Sequence, residues 1–475
     1  MTSAVVVGSG PNGLAGAIRL AQAGVRVTVL EAHERPGGGT RTSERTLPGL
    51  LHDDCAAFHP TGVASPYFRS LGLEQHGLRW RWPEIDLAHP LDDGRAGYAT
   101  RALAESSTAS LGVDAARWQR IFGPMVRHFD ALMEDVLQPV VHLPRHPLAL
   151  GRFGMQALLP ATWSAARFED APARALFMGV AAHAFGRLDT PLSGSVGLML
   201  TSTAHAVGWP VAEGGTEAIT RALVSVLTGL GGTVRSGVRV TSLDQLRDVD
   251  GRAPDVVLLD TAPAGVLSIM GPALPPRVRR ALTRYSYGPS AFKVDIAIEG
   301  DIPWRNEACR RAGTLHLGGS APEIAAIEKA SVRGEMPERP FVLLGQQFLA
   351  DPSRSHGTAN PVYAYAHVPH GYDGDATEAV LGQIERFAPG FRDRVLAVAS
   401  RGPAELEADN ANYVGGDISA GANTARQIVF RPRPALAPYS LGVPGVYLCS
   451  SATPPGGGVH GMSGFHAAEA ALARL

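Results

Sequence analysis

The chain has 475 residues, 45% of them hydrophobic, which is enough apolar material for the cores of about two or three domains. Its formal net charge is −1, so no overall field attracts nucleic acid or an anionic membrane surface. We therefore expect neither nucleic acid nor another polyanion as a partner.

Cysteine usage and hydropathy favour a soluble, cytoplasmic protein. The three cysteines, Cys55, Cys309 and Cys449, are far apart and form no CxxC or Cys/His pattern, which argues against a disulfide framework and a metal site. Met1 leads almost directly into an apolar strand pattern without the features of an export signal. The stretch 195–207 is short and interrupted by polar residues, so we expect no spanning helix and leave peripheral contact with lipid open.

The N-terminus reads as a strand, a tight turn, a helix and a second strand. A β-branched run at 4–7 is followed by the glycine-rich turn 8–13, and apolar residues then recur at helical spacing up to Gly24. A second β-branched run, 25–30, ends at Glu31, close to the offset of about 20 residues expected for an acid that binds ribose. The pattern predicts a βαβ dinucleotide-binding unit.

The residue types of this unit suit a dinucleotide. Gly8 permits the sharp turn, Gly10 lets the backbone approach a pyrophosphate, and Gly13 allows the helix and strand to pack closely. The helix N-terminus offers amide groups to the phosphates, and Glu31 can accept hydrogen bonds from the ribose hydroxyls. The predicted cofactor contacts are Gly8, Gly10, Pro11, Asn12, Gly13, Glu31 and Ala32.

The segment 35–42, RPGGGTRT, follows directly. It resembles the second FAD signature, R-x-G-G-R-x-x-S/T, of the flavoprotein superfamily that includes amine oxidases, phytoene desaturases and Rab GDP-dissociation inhibitors. Gly39 stands where that signature has an arginine that contacts a phosphate or the flavin. The sequence does not show whether Arg41 makes this contact instead. The resemblance implies cofactor contacts at Arg35, Gly38, Gly39, Thr40 and Arg41.

The middle of the chain predicts two interleaved domains. Residues 100–205 are largely helical in pattern, 214–230 predict a helix, and 233–240 and 255–260 predict strands that return to the nucleotide unit. Strand-rich patterns occur at about 290–300, 340–350 and 362–368. The resemblance suggests a backbone contact to the cofactor at Val238, which is equally well an ordinary strand valine.

The C-terminus predicts a strand at 445–450, a glycine-rich loop and a final helix at 462–475. Gly456, Gly458 and Gly461 form a second GxGxxG, but no second strand and acid follow, so we expect this loop to face the flavin or the phosphates rather than a separate NAD(P). The segment 447–461 resembles the C-terminal FAD motif of phytoene desaturase-like proteins of the branch related to pyridine nucleotide-disulphide oxidoreductase domain-containing protein 2. Segments 53–60, 208–215, 389–391 and 412–417 extend the likeness over essentially the whole chain. It implies FAD as cofactor, with contacts at Ser451, Gly457, Gly458, Val459 and His460.

The predicted fold class is α/β, with a Rossmann-like FAD-binding domain interleaved with a mixed α+β substrate domain. The FAD-binding domain is expected to comprise 1–70, 208–265 and 430–475. The substrate-binding domain is expected to comprise 71–207 and 266–429, with a helical portion at about 100–205.

Lys293 is the leading catalytic candidate. The segment 287–295 resembles the amine oxidase segment whose lysine reaches flavin N5 through a water. The chain has only two lysines, Lys293 and Lys329, among 43 basic residues, which suggests a need for a compact, titratable ammonium. The alternative is that Lys293 snorkels from the strand edge or pairs with Asp295. His59 and His460 are weaker candidates, because single histidines are more often structural.

The predicted function is that of an FAD-dependent oxidoreductase that desaturates a largely apolar small molecule, such as a polyene or a lipid-like compound, by hydride transfer to flavin N5. The sequence does not identify the electron acceptor, for which oxygen, a quinone and another carrier are the candidates. Amine oxidation, double-bond isomerisation and a non-enzymatic role like that of GDP-dissociation inhibitors are the alternatives. The glycines and Glu31 favour an enzyme, because the inhibitors lose such cofactor glycines.

Overall fold

The computed structural model describes residues 2–247 and 251–475. Its strands are β1 (Ser3–Val7), β2 (Arg26–Leu30), β3 (Thr42–Glu44), β4 (Leu51–Asp53), β5 (Trp80–Arg81), β6 (Ile85–Pro90), β7 (Ala96–Ala99), β8 (Val211–Ala212), β9 (Thr233–Arg235), β10 (Val256–Leu259), β11 (Ser290–Glu299), β12 (Ala312–Leu317), β13 (Val342–Gly345), β14 (Ala359–Val368), β15 (Val395–Arg401) and β16 (Val446–Leu448).

The helices follow the same chain order. They are α1 (Pro11–Gln22), α2 (Pro60–Ala64), α3 (Pro66–Ser70), α4 (Leu103–Leu111), α5 (Ala115–Arg127), α6 (Phe129–Val136), α7 (Pro147–Ala157), α8 (Ala161–Ala165), α9 (Ala171–Ala181), α10 (Gly194–Ala206), α11 (Glu217–Gly229), α12 (Pro263–Met270), α13 (Pro276–Thr283), α14 (Glu307–Arg310), α15 (Ala321–Val332), α16 (Thr377–Phe387), α17 (Pro403–Asp409), α18 (Ala425–Phe430) and α19 (Met462–Leu472).

A parallel sheet unites both ends of the chain. Its strand order is β16-β10-β1-β2-β9. Successive side chains of a strand face opposite sides of a sheet, so Val6 and Leu258 pack with α1 and α19, whereas Val7 and Leu259 pack with α12 and α13. The predicted α/β fold with a Rossmann-like domain is confirmed.

Helices α1 and α19 join the two termini directly. They approach at Gly16 and Gly464, where an added Cβ on Gly464 would lie 1.8 Å from the Asn12 carbonyl oxygen. Arg19 of α1 and Glu469 of α19 also form an ion pair at 2.5 Å. Because Gly16 and Gly464 have no side chains, α1 and α19 can pack closely where they cross.

A seven-stranded mixed sheet, β15-β11-β14-β13-β12-β6-β7, forms the second layer. The strand-rich pattern near 290–300, 340–350 and 362–368 corresponds to β11, β13 and β14. Strands β6 and β7 lie outside the predicted strands and enter this sheet from the chain before the helical portion.

Helices α4 to α10 lie between residues 103 and 206, in the stretch whose pattern is largely helical. Trp118, Phe122 and Phe168 form its aromatic centre, with Trp118 and Phe122 ring centroids 4.6 Å apart. Among the described residues, no helix combines the length and the hydropathy that a membrane crossing requires.

Candidate active site

One continuous cavity of about 1120 Å³ runs between the two sheets. At one end it is lined by the turn at 8–12 and by segments 30–33 and 238–241, and at its centre by residues 38, 39, 41, 55–58, 60, 61 and 455–459. The other end is an apolar chamber whose walls include Phe153, Ala157, Val196, Met199, Leu200 and Trp209. Because ligand pockets typically span about 300–1,000 Å³, this cavity has room for a cofactor and a substrate together.

Backbone strain is concentrated on this cavity. Among the described residues other than glycine, positive φ values occur at Phe185 (46°), Leu192 (68°) and Ala420 (59°). All three residues line the cavity. Since a non-glycine residue in this region costs on the order of 1 kcal/mol or more, such strain tends to persist at functional sites.

The turn between β1 and α1 needs its glycines. Gly8 has φ of 99°, and an added Cβ on Gly13 would lie 2.2 Å from the Gly8 carbonyl oxygen. Gly8, Gly10, Pro11 and Asn12 line the cavity, as predicted from the motif, whereas Gly13 lies behind them. The role of Gly13 is therefore close packing of the helix against the turn.

Glu31 lies at the end of β2 beside this turn. One carboxylate oxygen accepts from the Ser9 amide at 2.9 Å, and the other accepts from the His33 amide at 2.8 Å. The Val238 amide donates to the Glu31 carbonyl oxygen at 2.8 Å. The structure thus brings Glu31, Ala32 and Val238 together on the cavity wall, with the Glu31 carboxylate held in place by backbone amides.

Arg35 and Thr40 do not reach the cavity. Arg35 donates to the Thr42 carbonyl oxygen at 2.8 Å and pairs with Glu217 at 3.4 Å. Thr40 is fully buried, and its hydroxyl lies 2.8 Å from that of Thr220. Both side chains instead connect the 35–42 loop to neighbouring segments, so their cofactor contacts stay predictions that this geometry does not support.

Of the two arginines in this loop, Arg41 is the one that lines the cavity. Its Nε donates to the Gly38 carbonyl oxygen at 3.0 Å, and its Nη2 donates to the Asp409 carboxylate at 3.2 Å. Its Nη1 is buried and has no partner in the structure. Gly38 and Gly39 also line the cavity, but Gly39 faces the Tyr413 hydroxyl, which an added Cβ would meet at 2.4 Å. Arg41 is therefore the group that can supply the positive charge missing at position 39.

Asp260, which follows β10, was not predicted as a site residue. Its carboxylate accepts the Gly13 amide at 2.9 Å and lines the cavity. Burial raises its pKa to about 7; amide hydrogen bonds lower it and the charge of Glu31 raises it further. The Gly13 amide, one of the helix N-terminal amides expected to face the phosphates, thus donates to the Asp260 carboxylate. An aspartate at the end of a predicted strand was the available signal.

The C-terminal loop 451–459 faces the first turn across the cavity. Ser451, Gly457, Gly458 and Val459 line it as predicted, and the Asn12 side-chain amide donates to the Ser451 hydroxyl at 3.2 Å. His460 does not line the cavity. Its Nδ1 accepts the Met462 amide at 3.0 Å at the start of α19, and burial lowers its pKa to about 4.

The second histidine candidate, His59, also has partners within the protein. It is fully buried, its Nε2 lies 2.7 Å from the Thr216 hydroxyl, and burial lowers its pKa to about 3. Its neighbours Phe58, Pro60 and Thr61 line the cavity, but His59 does not. The catalytic roles of His59 and His460 stay predictions, and the hydrogen bonds of both rings favour the structural alternative.

Lys293 lies on β11 behind the cavity wall. Its ammonium pairs with Asp295 and lies 3.8 Å from the ring centroid of Tyr363, which does line the cavity. Arg401 and His52 also approach Asp295, at 3.7 and 3.5 Å. The side chain thus forms the ion pair with Asp295 that was the alternative to catalysis, and Tyr363 rather than Lys293 lines the cavity, so the catalytic role stays a prediction.

Comparisons with known proteins agree with the Rossmann-like fold of the nucleotide unit. Residues 6–71 match the family described as NAD(P)-binding Rossmann-like domain. The chain is 24% identical to pyridine nucleotide-disulfide oxidoreductase domain-containing protein 2 of Rattus norvegicus, over 98% of this chain and 92% of that protein. It is 32% identical to hydroxyneurosporene desaturase of Cereibacter sphaeroides, over 55% of this chain and 54% of that protein.

A solved structure of putrescine oxidase with putrescine bound matches the fold with a TM-score of 0.61 and 18% identity, covering 100% of this chain and 99% of that one. The resemblance inferred from the motifs is confirmed. The chain therefore contains a Rossmann-like dinucleotide-binding domain and is homologous to pyridine nucleotide-disulfide oxidoreductase domain-containing protein 2 and to desaturases.

Proposed function

We propose that the chain binds FAD and oxidises a carbon–carbon bond of a largely apolar small molecule. The observation that carries the proposal is the single cavity, which joins the dinucleotide turn to an apolar chamber. In this proposal 1–70, 208–265 and 430–475 bind FAD, and 71–207 and 266–429 enclose the substrate. Such a reaction requires a hydride acceptor and an apolar substrate site in the same cavity.

The residues present fit FAD. The buried, unpartnered Nη1 of Arg41 suits a phosphate oxygen, and Gly38 approaches Gly10 so closely that an added Cβ would lie 3.1 Å from the Gly10 Cα. Glu31 and the Val238 segment suit the adenosine ribose, and the Gly457–Gly458 loop suits the flavin end. Bound FAD would supply the acceptor for a hydride from substrate carbon. The protein positions the substrate and excludes water from the chamber.

The first test is whether the purified protein has the yellow colour of a bound flavin. A purified protein with a flavin spectrum supports the proposal, whereas a colourless protein that cannot be reconstituted with FAD supports the non-enzymatic alternative. The coloured protein is then mixed anaerobically with polyenes, lipids and amines while flavin absorbance is followed. Bleaching by a polyene or lipid supports carbon–carbon oxidation. Isomerisation is supported instead if a polyene does not bleach the oxidised protein but is converted by protein whose flavin was reduced beforehand. Return of colour on adding oxygen or a quinone identifies the acceptor.

Amine oxidation is the second candidate. The rings of Tyr363 and Tyr365 both line the cavity, lie 5.8 Å apart and are perpendicular at 89°. Aromatic faces attract a cationic or polarised amine, so this pair can hold an amino group. Bleaching by amines alone would assign the chain to this reaction.

We expect Arg41→Met to raise the dissociation constant of FAD about 10- to 100-fold, since a hydrogen bond to a charged group contributes about 1.5–3 kcal/mol. The measurement is titration of the FAD-free protein with FAD by flavin fluorescence. Arg280→Met, at an exposed position of α13, is the control and should leave the constant unchanged. An equal effect of both substitutions would remove Arg41 from the binding site.

Asp260 predicts a pH dependence of FAD affinity. Raising the pH through its pKa of about 7 ionises a carboxylate beside the proposed phosphate site, so the affinity should fall as the pH rises. If binding requires the protonated acid, the dissociation constant rises about tenfold between pH 6 and pH 8. Asp260→Asn should bind FAD with little change over this range. A wild-type protein with a flat profile contradicts the prediction.

A further inference from the structure

The apolar chamber contains a polar corner. Thr314 of β12 is fully buried, lines the cavity, and has a hydroxyl oxygen without any hydrogen-bond partner in the structure. Leaving a buried hydroxyl unpaired is unfavourable, because the group loses its hydrogen bonds to water and gains none from the protein. A buried, unpaired hydroxyl on a cavity wall points to a ligand group that pairs with it.

His183 lies at the same corner. It follows α9, lines the cavity, and its Nε2 lies 2.9 Å from Nε2 of His316. His316 is on β12, two residues after Thr314. Side chains two apart on a strand share one face and are separated by roughly 7 Å, so His183 and Thr314 are neighbours across the His316 ring.

The packing of α9 brings this corner together. Gly179 of α9 lies against β12 and β6, where an added Cβ would be 2.7 Å from the His316 Cβ and 2.6 Å from the His89 Nδ1. Only a residue without a side chain permits this approach. The close contact places His183, four residues further along the chain, against His316.

The hydrogen-bond pattern leaves a donor on His183. The Nδ1 of His316 is buried without a partner. Because an unpaired buried N–H is rarer than an unpaired acceptor, we place the His316 proton on Nε2, where it is donated to His183. Neutral His183 then carries its own proton on Nδ1, which forms no hydrogen bond with the described residues. Burial lowers the pKa of both rings, to about 3 for His183, so both stay neutral near pH 7.

We propose that His183 and Thr314 bind an oxygen-bearing group, a hydroxyl or a carbonyl, on an otherwise apolar substrate. The His183 N–H donates to the substrate oxygen, and the Thr314 hydroxyl donates to a carbonyl or accepts from a hydroxyl. Phe185, Trp209 and Leu343 line the cavity beside this corner and enclose the remaining apolar surface. This inference rests on the proposed function, because it names the class of substrate that the chamber takes.

The test compares ligands that differ by one oxygen. The purified protein is titrated calorimetrically with geraniol, with the corresponding aldehyde, and with 2,6-dimethyl-2,6-octadiene, which has the same carbon skeleton without oxygen. Thr314→Val replaces the hydroxyl by a methyl group of similar size and should weaken binding of the alcohol and the aldehyde about tenfold, while hydrocarbon binding stays the same or tightens. His183→Phe should have the same selective effect.

Thr201→Val is the matched control. Thr201 of α10 is also fully buried with an unpartnered hydroxyl, but it does not line the cavity. A selective loss of alcohol and aldehyde binding in Thr314→Val but not in Thr201→Val supports the proposal. If Thr314→Val weakens binding of all three ligands equally, or if Thr201→Val shows the same loss, the proposed oxygen-binding role of His183 and Thr314 is wrong. The proposal of an apolar substrate is unaffected by that result. Failure of the wild-type protein to bind any of the three overturns the apolar substrate itself and the corner with it.

Discussion

Gly464→Ala is expected to lower the free energy of unfolding by more than about 4 kcal/mol and to abolish dinucleotide binding. The added Cβ would lie 1.8 Å from the Asn12 carbonyl oxygen and 2.9 Å from the Gly16 amide nitrogen. Both atoms belong to the backbone of α1, so no side-chain rotation relieves the clash. Helices α1 and α19 must move apart, and the turn that precedes α1 moves with them.

The measurement is urea unfolding of each variant, together with titration by FAD. Gly382→Ala is the matched control: Gly382 lies within α16, is exposed, and has no atom within 4 Å of an added Cβ. Replacing an unstrained helical glycine by alanine should stabilise the protein by about 0.5–1 kcal/mol. If Gly464→Ala behaves like this control, the two termini do not meet as the structure describes.

The parts of the nucleotide site that were predictable are those encoded locally. A strand, a turn with glycines at fixed spacing, a helix and an acid all lie between Ser3 and Glu31, so their relative positions follow from standard element geometry. The C-terminal loop was also located, because a glycine-rich loop before a helix carries its own pattern. Sequence therefore predicted which segments line the cavity at its dinucleotide end.

Contacts between distant segments were not predictable in this way. Asp260 meets Gly13 across 247 residues, and His183 meets His316 across 133 residues. Neither pair has a spacing that a local pattern can reveal. Strand β6 was missed for another reason: all its residues are buried, so it lacks the alternation that marks a half-exposed strand, and it contains Asp86, His89 and Pro90.

Nearness in sequence to cavity-lining residues does not show whether a side chain itself lines the cavity. His59 and His460 are each next to residues that line the cavity, yet neither lines it, and each ring has a hydrogen-bond partner within the protein. In an irregular loop, successive side chains have no fixed alternation, so the position of one residue does not give the direction of the next. The rarity of lysine drew attention to Lys293, but it does not distinguish a role in catalysis from the ion pair with Asp295 that the structure shows.

Lys293→Met is expected to lower the free energy of unfolding by about 3 kcal/mol, because removing one partner of a buried ion pair leaves the other charge uncompensated. Lys293 is 3% exposed and Asp295 is 1% exposed. Burial lowers the pKa of Lys293, whereas the charges of Lys293, His52 and Arg401 outweigh burial and lower the pKa of Asp295. Since Arg401 and His52 remain near Asp295, the loss should fall at the lower end of the range for such pairs. Urea unfolding of both proteins measures it.

The double variant Lys293→Met, Asp295→Asn separates the structural role from a catalytic one. Removing both charges leaves no buried carboxylate without its ammonium, so the double variant should regain at least half of the lost stability. Rates of flavin bleaching by substrate, measured on the same proteins, give the second readout. If Lys293 acts only by balancing Asp295 behind Tyr363, the rate recovers together with the stability. If the ammonium acts on the flavin, the double variant recovers its stability but its flavin is still reduced slowly, and the assignment of Lys293 to a structural pair is wrong.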